Sequence, residues 1–299
     1  MDLSKLNREE LTLLGAGACT MATLHFSSQL ASQHLYYWKT PKEQRAILII
    51  ILAAPVFAVN SFVSVLDING SKPFFMLLNS IKECYEALVI ATFLSLLYTY
   101  LNISVGQNIV PDEIKGREMH HSFPMTLFQP RIAHLNHQTL KLLNYWIWQF
   151  VVTRPTCSFL MMGLKLLGMY PTWVSWIFTI ILSISIYVAM YSLVVFYHTF
   201  AKELEPHKPL AKFLCVNGIV FFCFGQGVFI DILAKVGVIK SHHFWLDVEH
   251  VEEAIRNVLI CVEMLLFSVF QQYAFHVEPY SGAVQSMLQK GKKNEVMQH

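Results

Sequence analysis

Ser80-Ile81-Lys82-Glu83-Cys84-Tyr85-Glu86 sits in the middle of an apolar run. Phe74-Phe75-Met76-Leu77-Leu78 precedes it, and Leu88-Val89-Ile90 and Phe93-Leu94-Ser95-Leu96-Leu97 follow. From Phe74 to about Leu101 the run exceeds the ~20 helical residues that cross a bilayer. Glu83 and Glu86 are three residues apart and Lys82 and Glu86 four apart, so all three share one side of that helix. An ionised side chain at such depth costs at least ~2.5–3.5 kcal/mol unless it meets a protein partner or water. The remaining spans are therefore expected to cover this face.

The rest of the chain extends the same reading. Of 299 residues, 55% are hydrophobic and 14% charged, against about a quarter charged in a soluble domain; mean hydropathy is +0.45. Apolar windows mark seven spans, at about 11–36, 47–66, 74–101, 140–167, 173–200, 210–236 and 251–275. The first is diluted by Ser27, Ser28, Gln29, Ser32, Gln33 and His34. Pro55 is expected to kink the second, and Arg154-Pro155 to interrupt the fourth. Gly168-Met169-Tyr170-Pro171 reads as a tight turn between the fourth and fifth. A long polar segment, 102–139, separates the third from the fourth. The fold class is an all-α integral membrane protein, a seven-transmembrane-helix bundle. Residues 1–282 form one membrane domain, and 283–299 a polar cytoplasmic tail.

Basic residues orient the bundle. With the N-terminus outside, the inner segments hold Lys39, Lys42, Arg45, Lys115, Arg117, Arg131, Lys141, Lys202, Lys208, Lys212, Lys290, Lys292 and Lys293. The outer segments hold only Lys5, Arg8, Lys72, Lys235 and Lys240. This cytoplasmic excess places the N-terminus outside and the C-terminus in the cytoplasm.

Several classes are excluded. The six cysteines, Cys19, Cys84, Cys157, Cys215, Cys223 and Cys261, lie in or beside apolar spans without CxxC spacing, which argues for buried thiols rather than bridges or zinc ligands. No basic patch with interleaved aromatics suggests nucleic acid, and the N-terminus lacks the pattern of a removable signal peptide. There is no GxSxG, HExxH or P-loop motif, so no catalytic residue, cofactor or metal is assigned. His120-His121 and His242-His243 read as solvated or interfacial loop histidines. A retinal-type lysine in the seventh span and the motifs of rhodopsin-like receptors are missing.

The intramembrane polar set is Lys82, Glu83, Glu86, Arg154, Gln226, Asp231, Arg256 and Glu263. Arg154 can pair with Glu86 or Glu263 across helices. Glu249, Glu252, Arg256 and Glu263 recur at helical spacing as a stripe on the seventh span. Gly225 and Gly227, flanking Gln226, admit close helix approach. The candidate substrate-binding residues are Glu83, Glu86, Arg154, Gln226 and Glu263, and the competing reading is a set of buried pairs that fix helix register. Pro155 either marks a broken transporter helix or simply bends one.

Thr40-Pro41-Lys42-Glu43-Gln44-Arg45, followed by Pro55-Val56-Phe57-Ala58-Val59-Asn60-Ser61, resembles the organic solute transporter alpha-subunit family, which also holds the transmembrane protein 184 and plant Lazarus proteins. Tyr85-Glu86-Ala87, Arg154-Pro155, Phe224-Gly225-Gln226-Gly227 and Glu252-Glu253-Ala254-Ile255 with Asn257, Cys261 and Glu263-Met264 fit the same pattern. The stretches 116–124 and 201–209 look most like the plant Lazarus branch. The resemblance covers roughly 11–282 and implies seven helices, an outer N-terminus, transport of steroid-like or other organic solutes, and a vacuolar or plasma membrane location. The segment 102–139 lacks the cysteine cluster of the animal alpha subunits, and Gly225 stands where relatives often carry Trp. Lipid-anchored cysteines and an obligate beta-subunit are therefore not carried over.

The first expectation is thus a passive or exchange carrier of amphipathic organic anions, with Arg154 as the counter-ion. The second is a non-transporting scaffold in hormone signalling or vesicle trafficking that uses the inner loops, and a seven-span receptor is third. Expected partners are the lipid bilayer, an organic or lipid-like solute and, as an open option, a second copy of the chain as a homo-oligomer. Asn69-Gly70-Ser71 lies in a short outer loop and Asn102-Ile103-Ser104 in an inner one, so neither sequon is expected to carry glycan. Glycosidase treatment of the expressed protein should leave its gel mobility unchanged; a glycan on Asn102 would invert the topology.

Overall fold

The computed structural model describes residues 8–66, 72–101, 116–120, 132–235 and 248–282. Both sequons, the tail 283–299, His121 and the His242-His243 pair lie outside the described residues, as do the side chains of His120, Asp231, Glu249 and Glu252. The long helical elements are α1 (Arg8–Tyr36), α2 (Pro41–Ile51) running on into α3 (Ala53–Leu66), α4 (Lys72–Tyr100), α5 (His137–Leu166), α6 (Thr172–Thr199), α8 (Pro209–Lys235) and α9 (Val248–Ala274). Between α6 and α8 lie a single turn, α7 (Ala201–Leu204), and a 3-10 turn, Glu205–His207. Strands β1 (Glu118–His120) and β2 (Ile132–His134) pair antiparallel with Met119 opposite Ala133, a small exception to the all-α expectation.

Each apolar window became a helix. Among the described residues, four stretches are long and apolar enough to cross a membrane: Pro41–Leu66, Thr172–Thr199, Pro209–Ile230 and Glu253–Gly282. The chain is therefore an integral membrane protein. The second window starts earlier than its apolar core because Pro41 occupies the first helical turn, where a missing N–H is harmless. Pro55 acts upstream of itself: the helix parts at Leu52, since Pro55 cannot donate to the carbonyl of Ile51. Arg154-Pro155, expected to interrupt α5, does not; the helix runs unbroken through both. Pro155 leaves the carbonyl of Val151 without its helical donor, and the hydroxyl of Thr156 donates to the neighbouring carbonyl of Val152 at 2.7 Å.

The chain divides into two compact units, residues 1–69 with 214–299, and residues 70–213. In the first, α1, α3 and α9 pack on one another. Gln271 Nε2 donates to the carbonyl of Ile50 at 3.0 Å and the Cys261 thiol approaches that of Ala58 at 3.8 Å. Numbers rise on one helix as they fall on the other, so α9 is antiparallel to α2–α3. Gln272 meets Phe26 and Gln29 while His34 meets the carbonyl of Phe275, so α1 and α9 run parallel.

The turn between α1 and α2 is organised by Gln44, which is fully buried. Its Oε1 accepts from the backbone N–H of Lys39 (2.6 Å) and Thr40 (2.9 Å), and its Nε2 donates to the carbonyls of His34 (3.2 Å) and Tyr37 (2.8 Å). One side chain thus satisfies unpaired groups at the end of α1 and the start of α2.

In the second unit α5 packs against both α4 and α6. Asn136 caps α5 by accepting from the N–H of Thr139 at 2.8 Å. The other end closes as the sequence suggested. Gly168 takes a left-handed φ of 69°, its N–H reaches Lys165 and that of Met169 reaches Leu164, the paired bonds of a Schellman turn. Arg117, just before β1, forks onto Glu203 (2.7 and 3.0 Å) and bonds the carbonyl of Thr199. That fork holds the carboxyl of Glu203 below, and the guanidinium of Arg117 above, their ordinary ranges.

Gln44→Ala should lower the melting temperature of the detergent-solubilised protein, corresponding to roughly 2–3 kcal/mol for the several buried backbone groups it leaves unmet. Gln44→Glu, which keeps the acceptor and loses the donor, should fall between that variant and the wild type in the same melting experiment.

Candidate functional site

In the unit 70–213, the face of α4 that bears Glu83 and Glu86 is answered by α5. Arg154 Nε and Nη2 both donate to Glu86 Oε2, at 3.2 and 3.0 Å, and Nη2 lies 3.7 Å from Glu83 Oε1. Glu86 is 3% exposed and Arg154 8%. Of the two partners allowed for Arg154, this unit supplies Glu86. The pair leaves Glu86 Oε1 buried without a hydrogen-bond partner. About two turns from it, Ser80 Oγ approaches Met162 Sδ at 3.9 Å. On the other side of α5, Gln149 and Ser185 exchange bonds of 2.7 and 2.8 Å with α6. Polar contacts therefore tie α5 to both of its neighbours.

Arg154 spends its charge inside this unit. With two carboxylates on one guanidinium, little positive potential is left to attract an acidic solute. A buried pair of this kind adds little net stability but is expensive to break.

Gln226 and Glu263 lie in the other unit, on α8 and α9. A Cβ at Gly218 would sit 2.8 Å from the ring of Phe267, Phe222 meets the same ring at 5.8 Å, and Gly227 lies beside Arg256 Cδ at 3.8 Å. The two helices are therefore antiparallel neighbours, with Glu263 between Phe267 and Arg256 on the same stripe of α9. The close approach is made at Gly218; Gly225 faces open space.

Polar atoms here lack partners. Both amide atoms of Gln226, both of Asn217, Glu263 Oε2 and Arg256 Nε are buried with no hydrogen bond among the described residues. Arg256 has one weak ionic neighbour, Glu253 at 4.0 Å. Buried polar groups are ordinarily hydrogen-bonded, which sets this group of atoms on two helices apart.

Of the five residues proposed from sequence, Glu83, Glu86 and Arg154 form one cluster, while Gln226 and Glu263 belong to this second set. Arg256 was in the wider polar set. Asn217 was not singled out, although an amide within an apolar window is a signal that sequence displays.

The sequence model of the organic solute transporter Ostalpha family matches residues 12–280. The chain therefore belongs to the organic solute transporter Ostalpha family, a family of transporters and not of enzymes. No solved structure matches it.

Replacing Glu86 by Ala should destabilise the folded protein by roughly 3–5 kcal/mol, because it strands the Arg154 guanidinium. Glu86→Leu combined with Arg154→Met should recover most of that loss. Thermal unfolding of the single and double variants in the same detergent checks both.

Proposed function

We propose that this protein is a seven-span carrier of amphipathic organic solutes, steroid-like or other anions, working by facilitated flux or exchange. Its N-terminus is outside, its C-terminus is cytoplasmic, and it resides in the vacuolar or plasma membrane. Family membership supports the class of activity. The stretches 116–124 and 201–209 support the plant Lazarus branch. One observation carries the site: the unpartnered buried polar atoms of Gln226 and Glu263 on neighbouring apolar helices.

In this reading Gln226 offers amide donors and acceptors to the solute's polar groups, and Arg256 is the counter-ion for its acid. Arg154, the counter-ion expected from sequence, is occupied by Glu86 and Glu83 and braces α4 against α5 instead. Large aromatic and aliphatic side chains on the same helices, such as Phe222 and Phe267, suit the apolar body of such a solute. The scaffold reading draws on the Arg117 fork, which fastens the segment before β1 to the end of α6 and to α7.

Uptake of a labelled sterol conjugate into proteoliposomes separates the two. Gln226→Ala and Glu263→Ala should each cut the initial rate about tenfold or more, the loss of one hydrogen bond to a charged or buried group, without lowering the yield of folded protein. Uptake unchanged in both variants, or equal to that of protein-free vesicles, rejects the carrier and leaves the scaffold.

A further inference from the structure

The unit 1–69 with 214–299 holds an open cleft of about 510 Å³. It is lined by Gln33 and Tyr37 from the end of α1, Gln272 from α9, and His276, Glu278 and Ser281 from the turn after α9. The volume falls within the ~300–1,000 Å³ of small-molecule sites. Helices α1 and α9 are parallel, through the bonds from Gln272 to Phe26 and Gln29 and from His34 to Phe275. Both therefore end at the cleft, and two helix C-termini turn their negative dipole ends toward one place. Gln272 is nine residues from Glu263, about half a turn round α9, so the cleft lies on the opposite face of that helix from the solute stripe.

The chemistry of the lining is one-sided. Glu278 supplies a carboxylate on a side chain that is 84% exposed, and His276 Nε2 lies 3.7 Å from it. Among the described residues, no Lys or Arg lines the cleft. Tyr37 adds an aromatic ring, set nearly at right angles to that of Tyr36 with centroids 4.8 Å apart, and the face of such a ring attracts a cation. The Gln272 amide gives both its protons to Phe26 and Gln29, which leaves its oxygen as an acceptor. Acceptors, a carboxylate and a ring face together suit a positive ligand. One carboxylate is few for calcium, which takes six to eight oxygens, whereas an alkylammonium needs one counter-charge and an aromatic face.

The depth of the cleft says where such a ligand comes from. The apolar stretch Glu253–Gly282 ends there. Tyr36 and Trp38 flank Tyr37, Tyr273 follows Gln272, and all three are exposed. Exposed Tyr and Trp gathered at one end of spanning helices mark the level of the lipid headgroups. We propose that the cleft binds the alkylammonium group of a phospholipid headgroup, such as phosphocholine. The cation sits between the Tyr37 ring and the Glu278 carboxylate, at the two helix ends, and the lipid phosphate turns toward the Gln33 amide and His276. A lipid held this way ties the end of α1 to the turn after α9. It is a resident of the site rather than cargo, and the proposal stands apart from the carrier reading.

Native mass spectrometry of the full chain, purified in a maltoside detergent and titrated with dioleoylphosphatidylcholine, tests it. One lipid should bind saturably, at least tenfold more tightly than dioleoylphosphatidylglycerol, which has the same chains and phosphate but no ammonium. Glu278→Gln and Tyr37→Leu should each abolish that preference, and Tyr37→Phe, which keeps the ring, should retain it. Tyr273→Leu, beside the cleft but outside its lining, should leave binding unchanged. Glu278→Gln alters a side chain in solvent, so its melting temperature should match the wild type, which separates loss of lipid from loss of fold. Choline chloride at the lipid's own concentration distinguishes a free cation from a headgroup, and it should displace no lipid. Equal affinity for the two lipids in the wild type, a preference undiminished in Glu278→Gln, or displacement by choline at that concentration each overturns the proposal.

Discussion

The bond between Arg154 and Glu86 is the constraint from which the unit 70–213 is built. Neither charge is tolerable alone at its depth, so α4 and α5 can pack only in the register and rotation that bring the two together. Once that register is set, α5 presents Gln149 on its opposite side, and the bonds to Ser185 place α6. The remaining apolar residues then fill contacts whose geometry is already decided. The stacked rings of Tyr98 and Phe196 at 5.4 Å are one such contact.

The unit formed by 1–69 and 214–299 is held by a different chemistry. Neutral groups dominate its interior: amides, hydroxyls, a thiol and an imidazole. At the helix ends they are fully used, as in Gln44, which closes the turn between α1 and α2 with four bonds. Deeper in the unit they are not: both amide atoms of Asn257 and the hydroxyl of Ser61 are buried without a hydrogen-bond partner among the described residues.

Helix positions were legible because hydropathy and proline act locally. Each of the seven windows lies within a few residues of its helix, and the turn at Gly168 closes as its composition demands. For Arg154 the sequence narrows the partner to Glu86 or Glu263, and the structure supplies Glu86. Sequence reasoning left alternatives open where the outcome depends on neighbours. Pro155 reads from sequence as either a break or a bend, and α5 runs unbroken through it. Arg154 reads from sequence both as a partner of Glu86 or Glu263 and as a substrate counter-ion, and in the structure its guanidinium meets Glu86 and Glu83. Asn217 passed unremarked, and Asn257 was noticed only as part of a family pattern. A neutral amide barely lowers the hydropathy of a window and has no complementary charge to betray its partner; only burial without a hydrogen bond sets it apart.

A carrier must exchange one set of contacts for another each time it turns over, and this bears on where a solute path can lie. Breaking the Arg154–Glu86 pair strands a buried charge, at roughly 3–5 kcal/mol, and no solute contact is poised there to offset it. An amide that trades water for a solute hydroxyl gives up and regains bonds of about 1 kcal/mol net, small enough for frequent exchange. Gln226 and Glu263, buried polar groups without a hydrogen bond among the described residues, are of that exchangeable kind. At Gly218 the ring of Phe267 reaches across from α9 to α8. A path built on such residues can release what it binds, and the ion pair is better suited to keeping α4 and α5 rigid while that happens.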